Sequence, residues 1–316
     1  MNMIEGPGFT RPNDKCGSKI VGRDNDLQVS FEFFPPRTSE AVAPFWAAID
    51  DLSSLGPRFI SVTYGAGGTT RDQTRDLVSE IQARCHVPAA AHLTCAGASR
   101  AEIDSIAESY WQAGIHRLVA LRGDPPKAFA TDGSAARYVP HADGYAYADQ
   151  LVAGLARLHP FDISVAAYPE THPEALSAEA DLNHLKRKID AGATRAITQF
   201  FFDVDCYKRF LDRAQRAGIQ VPIVPGILPI RHVEKTLAMA KACGTSVPDA
   251  IHESFARAGD DPGARHRAAI EIAIAQCQQL KRAGVRHFHF YALNQADLVR
   301  PVCAEIGIVS PLFVAR

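Results

Sequence analysis

The stretch VSFEFFPPRTSE, residues 29–40, sets one carboxylate, Glu32, among Phe31, Phe33 and Phe34 and just ahead of Pro35 and Pro36. Such an apolar run reads as a buried strand, and the prolines end it because proline has no donor for the ladder. Glu32 therefore falls near the strand's C-terminal end, in what reads as an apolar setting. Burial disfavours the charged form of a carboxylate. Such a residue is misplaced, or a paired ion, or an acid held ready to give up a proton. Polar side chains recur at the ends of other apolar runs: Thr63, His92 with Thr94, Arg122-Gly123-Asp124, Tyr168 with Glu170, Gln199, and His289 with Asn294. One buried polar residue is ordinarily satisfied by a hydrogen bond, but a series of them in corresponding places is hard to explain as packing.

Several chemistries are disfavoured. No HExxH pattern, Cys/His cluster or carboxylate trio has metal-ligand spacing, so no dedicated metal site is expected. His287 and His289 alternate along one run and share a face, which reads as core and lip rather than as a ligand set. No GxSxG nucleophile signature occurs. No lysine stands at a run's end, which argues against a Schiff-base aldolase. What is left is an acid in an apolar setting, a second carboxylate beside an arginine in LRGD (residues 121–124), and many neutral donors. That inventory suits an enzyme that positions a large polar cofactor and assists electron or hydride transfer with a proton, the cofactor carrying the hard chemistry.

Eight short runs rich in β-branched and aromatic residues would position these groups: 29–34, 59–65, 89–95, 116–123, 162–170, 195–202, 222–229 and 286–294. Helical spacing lies between them, as where Leu182, Leu185 and Ile189 form one stripe. Gly114, Gly192, Gly218 and Gly284 sit where helix C-caps are expected, just before the next strand. Eight strand–helix units predict a single (βα)8 barrel, an α/β TIM-barrel fold with its chemistry at the C-terminal ends of the strands. A doubly wound sheet would announce a Gly-rich phosphate loop after its first strand; GAGG at 65–68 does not fit that pattern. Two stretches break the rhythm. Residues 125–145 form a long Gly/Pro/Asp-rich loop, and residues 245–284 are too long for one crossover, so an extra helix is expected over PDAIHESFARAG before the last strand.

The chain has 316 residues, 47% hydrophobic and 22% charged, with a formal net charge of -1. That balance does not mark a nucleic-acid or membrane-surface binder. Seven scattered cysteines without a CxxC pair suit free thiols in a reducing cytoplasm. Residues 1–27 lack an apolar core and are expected to be a flexible arm rather than a signal peptide, ahead of a catalytic barrel over 28–316. No apolar run approaches the roughly 18 residues that span a bilayer. A soluble cytoplasmic protein is expected.

The motifs VSFEFFPPRTSE, FISVTYGAGG, AHLTC, LVALRGDPP, FDISVAAYPETHPEA, DLNHLKRKIDAGATRAITQFFFD, VPGILPI and FHFYALN occur in this order. Together they closely resemble the bacterial methylenetetrahydrofolate reductases, from about residue 28 to the end. The resemblance implies a barrel with non-covalent FAD that takes a hydride from NADH or NADPH, releases the oxidised nucleotide, and passes the hydride to 5,10-methylenetetrahydrofolate. The product would be 5-methyltetrahydrofolate, the methyl donor for methionine synthesis. Glu32 matches the family's general acid, which would need a raised pKa to act near neutrality. Asp124 matches an aspartate near the flavin, and Gln199 a glutamine shared by the nicotinamide and pterin sites. Thr63 and Ala66 match positions near bound nucleotide. For FAD the resemblance implies His92, Arg122, Gly123, Asp124, Tyr147, Ala148, Tyr168, His172, Asp181, His184, Arg187 and Lys188. Positions 181, 184 and 188 share a helix face, and Arg187 with Lys188 would serve a pyrophosphate.

The sequence departs from the family at His184 (usually asparagine), Lys235 (glutamine), Met239 (phenylalanine) and Gln295 (arginine). Lys235 and Gln295 are the expected contacts to the folate. A homo-oligomer is implied as well. The chain ends at Arg316, so the regulatory domain of larger relatives, and inhibition by S-adenosylmethionine, are not expected. Two alternatives stay open: a flavin barrel acting on another substrate, such as proline, and a catalytically silent barrel serving as a binding subunit.

Overall fold

The computed structural model describes residues 27–64, 71–124 and 138–310, with residues 71–73 as backbone. Most of the expected arm, Ala66, the GAGG glycines and residues 125–137 of the long loop lie outside the described residues. The strands are β1 Gln28–Phe33, β2 Phe59–Val62, β3 Ala89–Thr94, β4 Arg117–Leu121, β5 Asp162–Ala167, β6 Arg195–Thr198, β7 Ile223–Val224, β8 Gly226–Ile227 and β9 His287–Tyr291. All pairings are parallel, in the order β7-β6-β5-β4-β3-β2-β1-β9-β8. β7 and β8 are halves of the expected seventh strand, separated only by Pro225. One half pairs with β6 and the other with β9, so the sheet returns on itself as a barrel. Proline explains the break: it has no N–H to give β6, while its carbonyl still accepts from the His289 N–H at 3.0 Å.

The helices are α1 Ser39–Ser53, α2 Arg71–Cys85, α3 Arg100–Gln112, α4 Ala148–Leu158, α5 Ala178–Asp190, α6 Val204–Arg216, α7 Val233–Cys243, α8 Asp249–Ala258, α9 Pro262–Arg282 and α10 Ala296–Ile306. α8 is the extra helix expected before the last strand. None of the described helices is long and apolar enough to cross a membrane. Cys85, Cys95, Cys206, Cys243, Cys277 and Cys303 are free thiols.

Strand residues alternate between the two faces of the sheet. On β1, Val29, Phe31 and Phe33 point outward into the core between strands and helices, where the Phe33 ring meets Phe45 of α1 edge-on at 6.0 Å. Ser30 and Glu32 point inward. Glu32 reaches His92 on β3, two strands away, which is possible only through the barrel interior.

Gly226 decides how tightly that interior closes. A Cβ there would collide with the Thr198 carbonyl of β6 and with the Tyr291 ring of β9. Without it, the Tyr291 hydroxyl donates to that same carbonyl at 2.7 Å, and the Gly226 N–H donates to Thr198 Oγ1 at 2.9 Å. Gly226→Ala must therefore part β6 from β9. It is expected to cost about 1–3 kcal/mol, the usual range for overpacking. Urea unfolding followed by circular dichroism checks this, and an unchanged midpoint would show that the closure is not tight.

Candidate active site

Parallel register builds the first half of the site. It sets Ser30 beside His289, and Glu32 beside Tyr291 and Ser61. His92 Nε2 lies 3.3 Å from Glu32 Oε2, and His289 Nε2 lies 3.6 Å from the same oxygen. Both nitrogens are buried and have no hydrogen-bond partner among the described residues, so these close contacts fall short of well-formed hydrogen bonds. The Glu32 side chain is 15% exposed and that of His289 not at all.

This corrects one expectation. The alternation turns Phe31 and Phe33 away from Glu32, so phenylalanines do not form its pocket. Burial does push its carboxyl up, but the charge of His92 and contacts from both imidazoles outweigh burial and hold it at about 2. The ligand-free protein carries a carboxylate clamped by imidazoles, not a neutral acid.

The second half is a cavity of about 660 Å³ beside the C-terminal ends of β3, β4 and β5. Arg122, Gly123, Asp124, Tyr147, Ala148, Tyr168, His172, Asp181, His184, Arg187 and Lys188, all expected there, do line it. Gly123 is required by both space and backbone: its φ is +85°, and a Cβ would lie 2.9 Å from Thr94 Cβ. Ser177 caps α5 by accepting from the Ala180 N–H at 3.1 Å, which aims Asp181, His184 and Lys188 at the cavity. Asp181 accepts the His172 N–H at 3.0 Å, tying the preceding loop to the helix. Arg187 pairs with Asp149 at 3.1 Å.

Lys188 is half-buried and donates to the Ala166 carbonyl at 2.5 Å. Burial brings its amine down to about 8, against the pull of Asp181 and Asp149. A cation so desolvated gains from an anion in the cavity. Burial, with Cys243, Asp181 and Asp124 nearby, pushes the Tyr168 phenol up to about 12, so it remains a donor.

The remaining expected residues lie elsewhere. Ala66 is outside the described residues. Thr63 follows β2 and His92 belongs to the Glu32 cluster; neither lines the cavity. Gln199 follows β6; its Oε1 accepts the Phe200 N–H at 2.9 Å and its Nε2 faces Cys243 Sγ at 3.4 Å. Lys235 and Met239 are exposed on α7, and Gln295 precedes α10. None of these four lines the cavity.

Sequence reasoning missed four contributors. Glu174 forms the ion pair of Arg122. Tyr138, at the described end of the long loop, lies under the Arg122 guanidinium at 4.7 Å. Tyr291 stands beside Glu32 on the paired strand, and its phenol is raised first by burial, then by Glu32 and Tyr168. His289 stood among the polar run ends but was given no role in the site, although its alternation with His287, opposite Ser30 on a paired strand, was the available signal.

Fold and site together define a barrel enzyme with an interior acid cluster beside a cation-lined cavity at the strand ends. The family model described as methylenetetrahydrofolate reductase matches residues 19–307. The 5,10-methylenetetrahydrofolate reductase of Pectobacterium carotovorum subsp. carotovorum is 47% identical over 291 residues, 92% of this chain and 93% of that protein. That of Escherichia coli K12 is 45% identical over 295 residues, covering 93% and 96%. A solved structure of an uncharacterized protein from Clostridium thermocellum, which binds two copies of 5-methyl-5,6,7,8-tetrahydrofolic acid, has a TM-score of 0.56. It covers 89% of this chain and 94% of that one at 13% identity, which is a likeness of fold. The chain belongs to the methylenetetrahydrofolate reductase family.

Lys188 generates a pH prediction. It is charged below about 8 and loses its proton above, so an anion in the cavity should bind at constant strength below that pH and progressively more weakly above it. Calorimetric titration with ADP, whose phosphates are fully ionised above neutrality, is the check. Lys188→Ala should bind more weakly and lose this dependence, whereas an unchanged pH profile would place Lys188 outside the anion's reach.

Proposed function

We propose that this protein reduces 5,10-methylenetetrahydrofolate to 5-methyltetrahydrofolate with NADH or NADPH through FAD held in the cavity, supplying methyl groups for methionine synthesis. The observation that carries the reading is Glu32 between two imidazoles in the barrel interior, with a cation-lined cavity at the ends of neighbouring strands. The cavity's residues fit FAD. Arg122, Arg187 and Lys188 offer charge to a pyrophosphate, and Tyr138, Tyr147 and Tyr168 offer flat apolar surface to rings. When bound, the flavin would supply the hydride relay between nicotinamide and folate, the two substrates taking turns.

The chain's own residues handle the proton and the positioning. Glu32 would protonate the bridging nitrogen of the folate so that its five-membered ring opens. A carboxyl held at about 2 is ionised at neutrality, so Glu32 must take up the proton that it delivers, and the imidazoles at 3.3 and 3.6 Å are the groups beside it. Filling the interior with a pterin removes water from the cluster, and desolvation favours the neutral pair of acid and imidazole over the ion pair. Gln199, half-buried beyond β6, would turn its amide from Cys243 to the substrate. Asp124, an exposed carboxylate at the cavity, is available to stabilise cationic charge on the opened ring. Lys235 would meet the carboxylates of the folate's glutamate tail.

Half-reactions separate these roles. Under anaerobic conditions the yellow protein should be bleached by NADH or NADPH and recoloured by methylenetetrahydrofolate but not by an oxidised proline analogue. Glu32→Gln should bleach normally and lose recolouring by about 10²–10⁴-fold, the usual weight of a general acid. Recolouring of the variant at the normal rate would remove Glu32 from the mechanism.

A further inference from the structure

The cluster does not end at His289. Ser30 Oγ lies 2.8 Å from His289 Nδ1 and 3.0 Å from His287 Nε2, so a chain of polar groups runs from Glu32 down the barrel interior. Ser30 and His289 have no exposed surface. Phe59 walls the chain, its ring stacked against His289 at 5.8 Å and edge-on to His287 at 6.3 Å. We propose that His287 is a positioning residue for the acid: through Ser30 it keeps a proton on His289 Nδ1, so that His289 Nε2 and Glu32 share the one mobile proton. The proposal rests on the reading of Glu32 as proton donor.

A hydroxyl has a single proton, which leaves two orders along the chain. In the first, Ser30 donates to His287 Nε2 and accepts from the N–H at His289 Nδ1. The His289 Nε2 facing Glu32 then either accepts a proton from the carboxyl or holds it against the carboxylate. That proton can cross between them, and Glu32 can act as an acid. In the second order, Ser30 donates to His289 Nδ1, and the ring's only proton sits on Nε2. Releasing it to Glu32 would require an imidazolate, so His289 has no proton to give Glu32. The first order therefore needs an acceptor beyond Ser30, and His287 is the ring placed there.

The surroundings of His287 keep it an acceptor. Gln28 stands beside it on β1, and Arg58 and Phe59 come from β2. Arg195 reaches in from β6, where Asp162 is shared between it and Arg117. Three guanidinium groups thus face one carboxylate at this end of the barrel. Burial first, then His289, Arg195 and Arg58, hold His287 down to about 3, so its ring is neutral at working pH.

The test uses the flavin-loaded full chain. His287→Leu removes the acceptor, and its recolouring by methylenetetrahydrofolate should slow by about tenfold or more, while bleaching by the nicotinamide is unchanged. His287→Gln, whose side-chain carbonyl can accept from Ser30, should recover most of the rate. Imidazole ¹⁵N spectra should place the His289 proton on Nδ1 in the wild type and on Nε2 in His287→Leu. A wild-type proton resting on Nε2 alone overturns the proposal even if the leucine variant does not fold, as does a folded His287→Leu that recolours at the normal rate. Glu32→Gln, run alongside, separates the two claims. If it still reduces folate, the reading of Glu32 fails; if it does not, and His287→Leu is normal, only the role of His287 fails.

Discussion

A carboxylate at the wall of a barrel, facing two imidazoles at 3.3 and 3.6 Å, is the interaction on which the rest of this site depends. Alone, Glu32 would be an expensive ion in a dry interior; alone, two buried imidazoles would have their nitrogens unpaired. Together each supplies what the other lacks: the imidazoles keep the carboxyl low against burial, and the carboxylate faces their buried nitrogens. The low pKa of the carboxyl does not conflict with acid chemistry, because the quantity that matters is the proton count of the whole group. In the proposed reaction Glu32 is the arm from which a proton leaves that group.

The barrel supplies this group by register rather than by loops. β1 lies between β9 and β2, so Ser30 and Glu32 are brought to His289 and Ser61 by ladder pairing. The ladder also fixes Tyr291, whose hydroxyl is anchored on β6 through the space that Gly226 leaves open. Side chains on strands are held more firmly than side chains on loops, which suits groups that must exchange a proton over short distances. The cavity is built differently. It draws on the end of β4, the start of α4, the loop before α5 and one face of α5, and its charges are balanced by carboxylates from the same segments, Glu174 on Arg122 and Asp149 on Arg187. An anionic ligand would replace part of that balance.

Much of this was legible in the sequence. Each of the eight apolar runs became a strand, because short β-branched runs closed by Gly-capped helices leave few other parallel arrangements. The PDAIHESFARAG segment became α8, and most of the residues expected to hold the cofactor came together in one cavity. The environment of Glu32 was misread. Phenylalanines adjacent in sequence are on the opposite face of a strand, and the imidazoles that control the carboxyl come from residues 60 and 257 positions away. His289 was noted as a polar run end but left without a role, since a histidine pair on one strand gives no sign of its partner until β1 is laid beside β9. Glu174 and Tyr138 were invisible for the same reason: their partner, Arg122, is brought to them only by the fold.

Isotope-edited infrared spectroscopy of Glu32 tests the central claim most directly. With the glutamate carboxyls labelled and Glu32→Gln subtracted, the ligand-free protein at neutral pH should show carboxylate stretching bands from this residue. Addition of a tetrahydrofolate ligand should convert part of that signal to the carbonyl band of a protonated acid. A carbonyl band already present in the ligand-free protein would contradict the account, since it would mean that the imidazoles do not keep Glu32 ionised and that it is a neutral acid by itself.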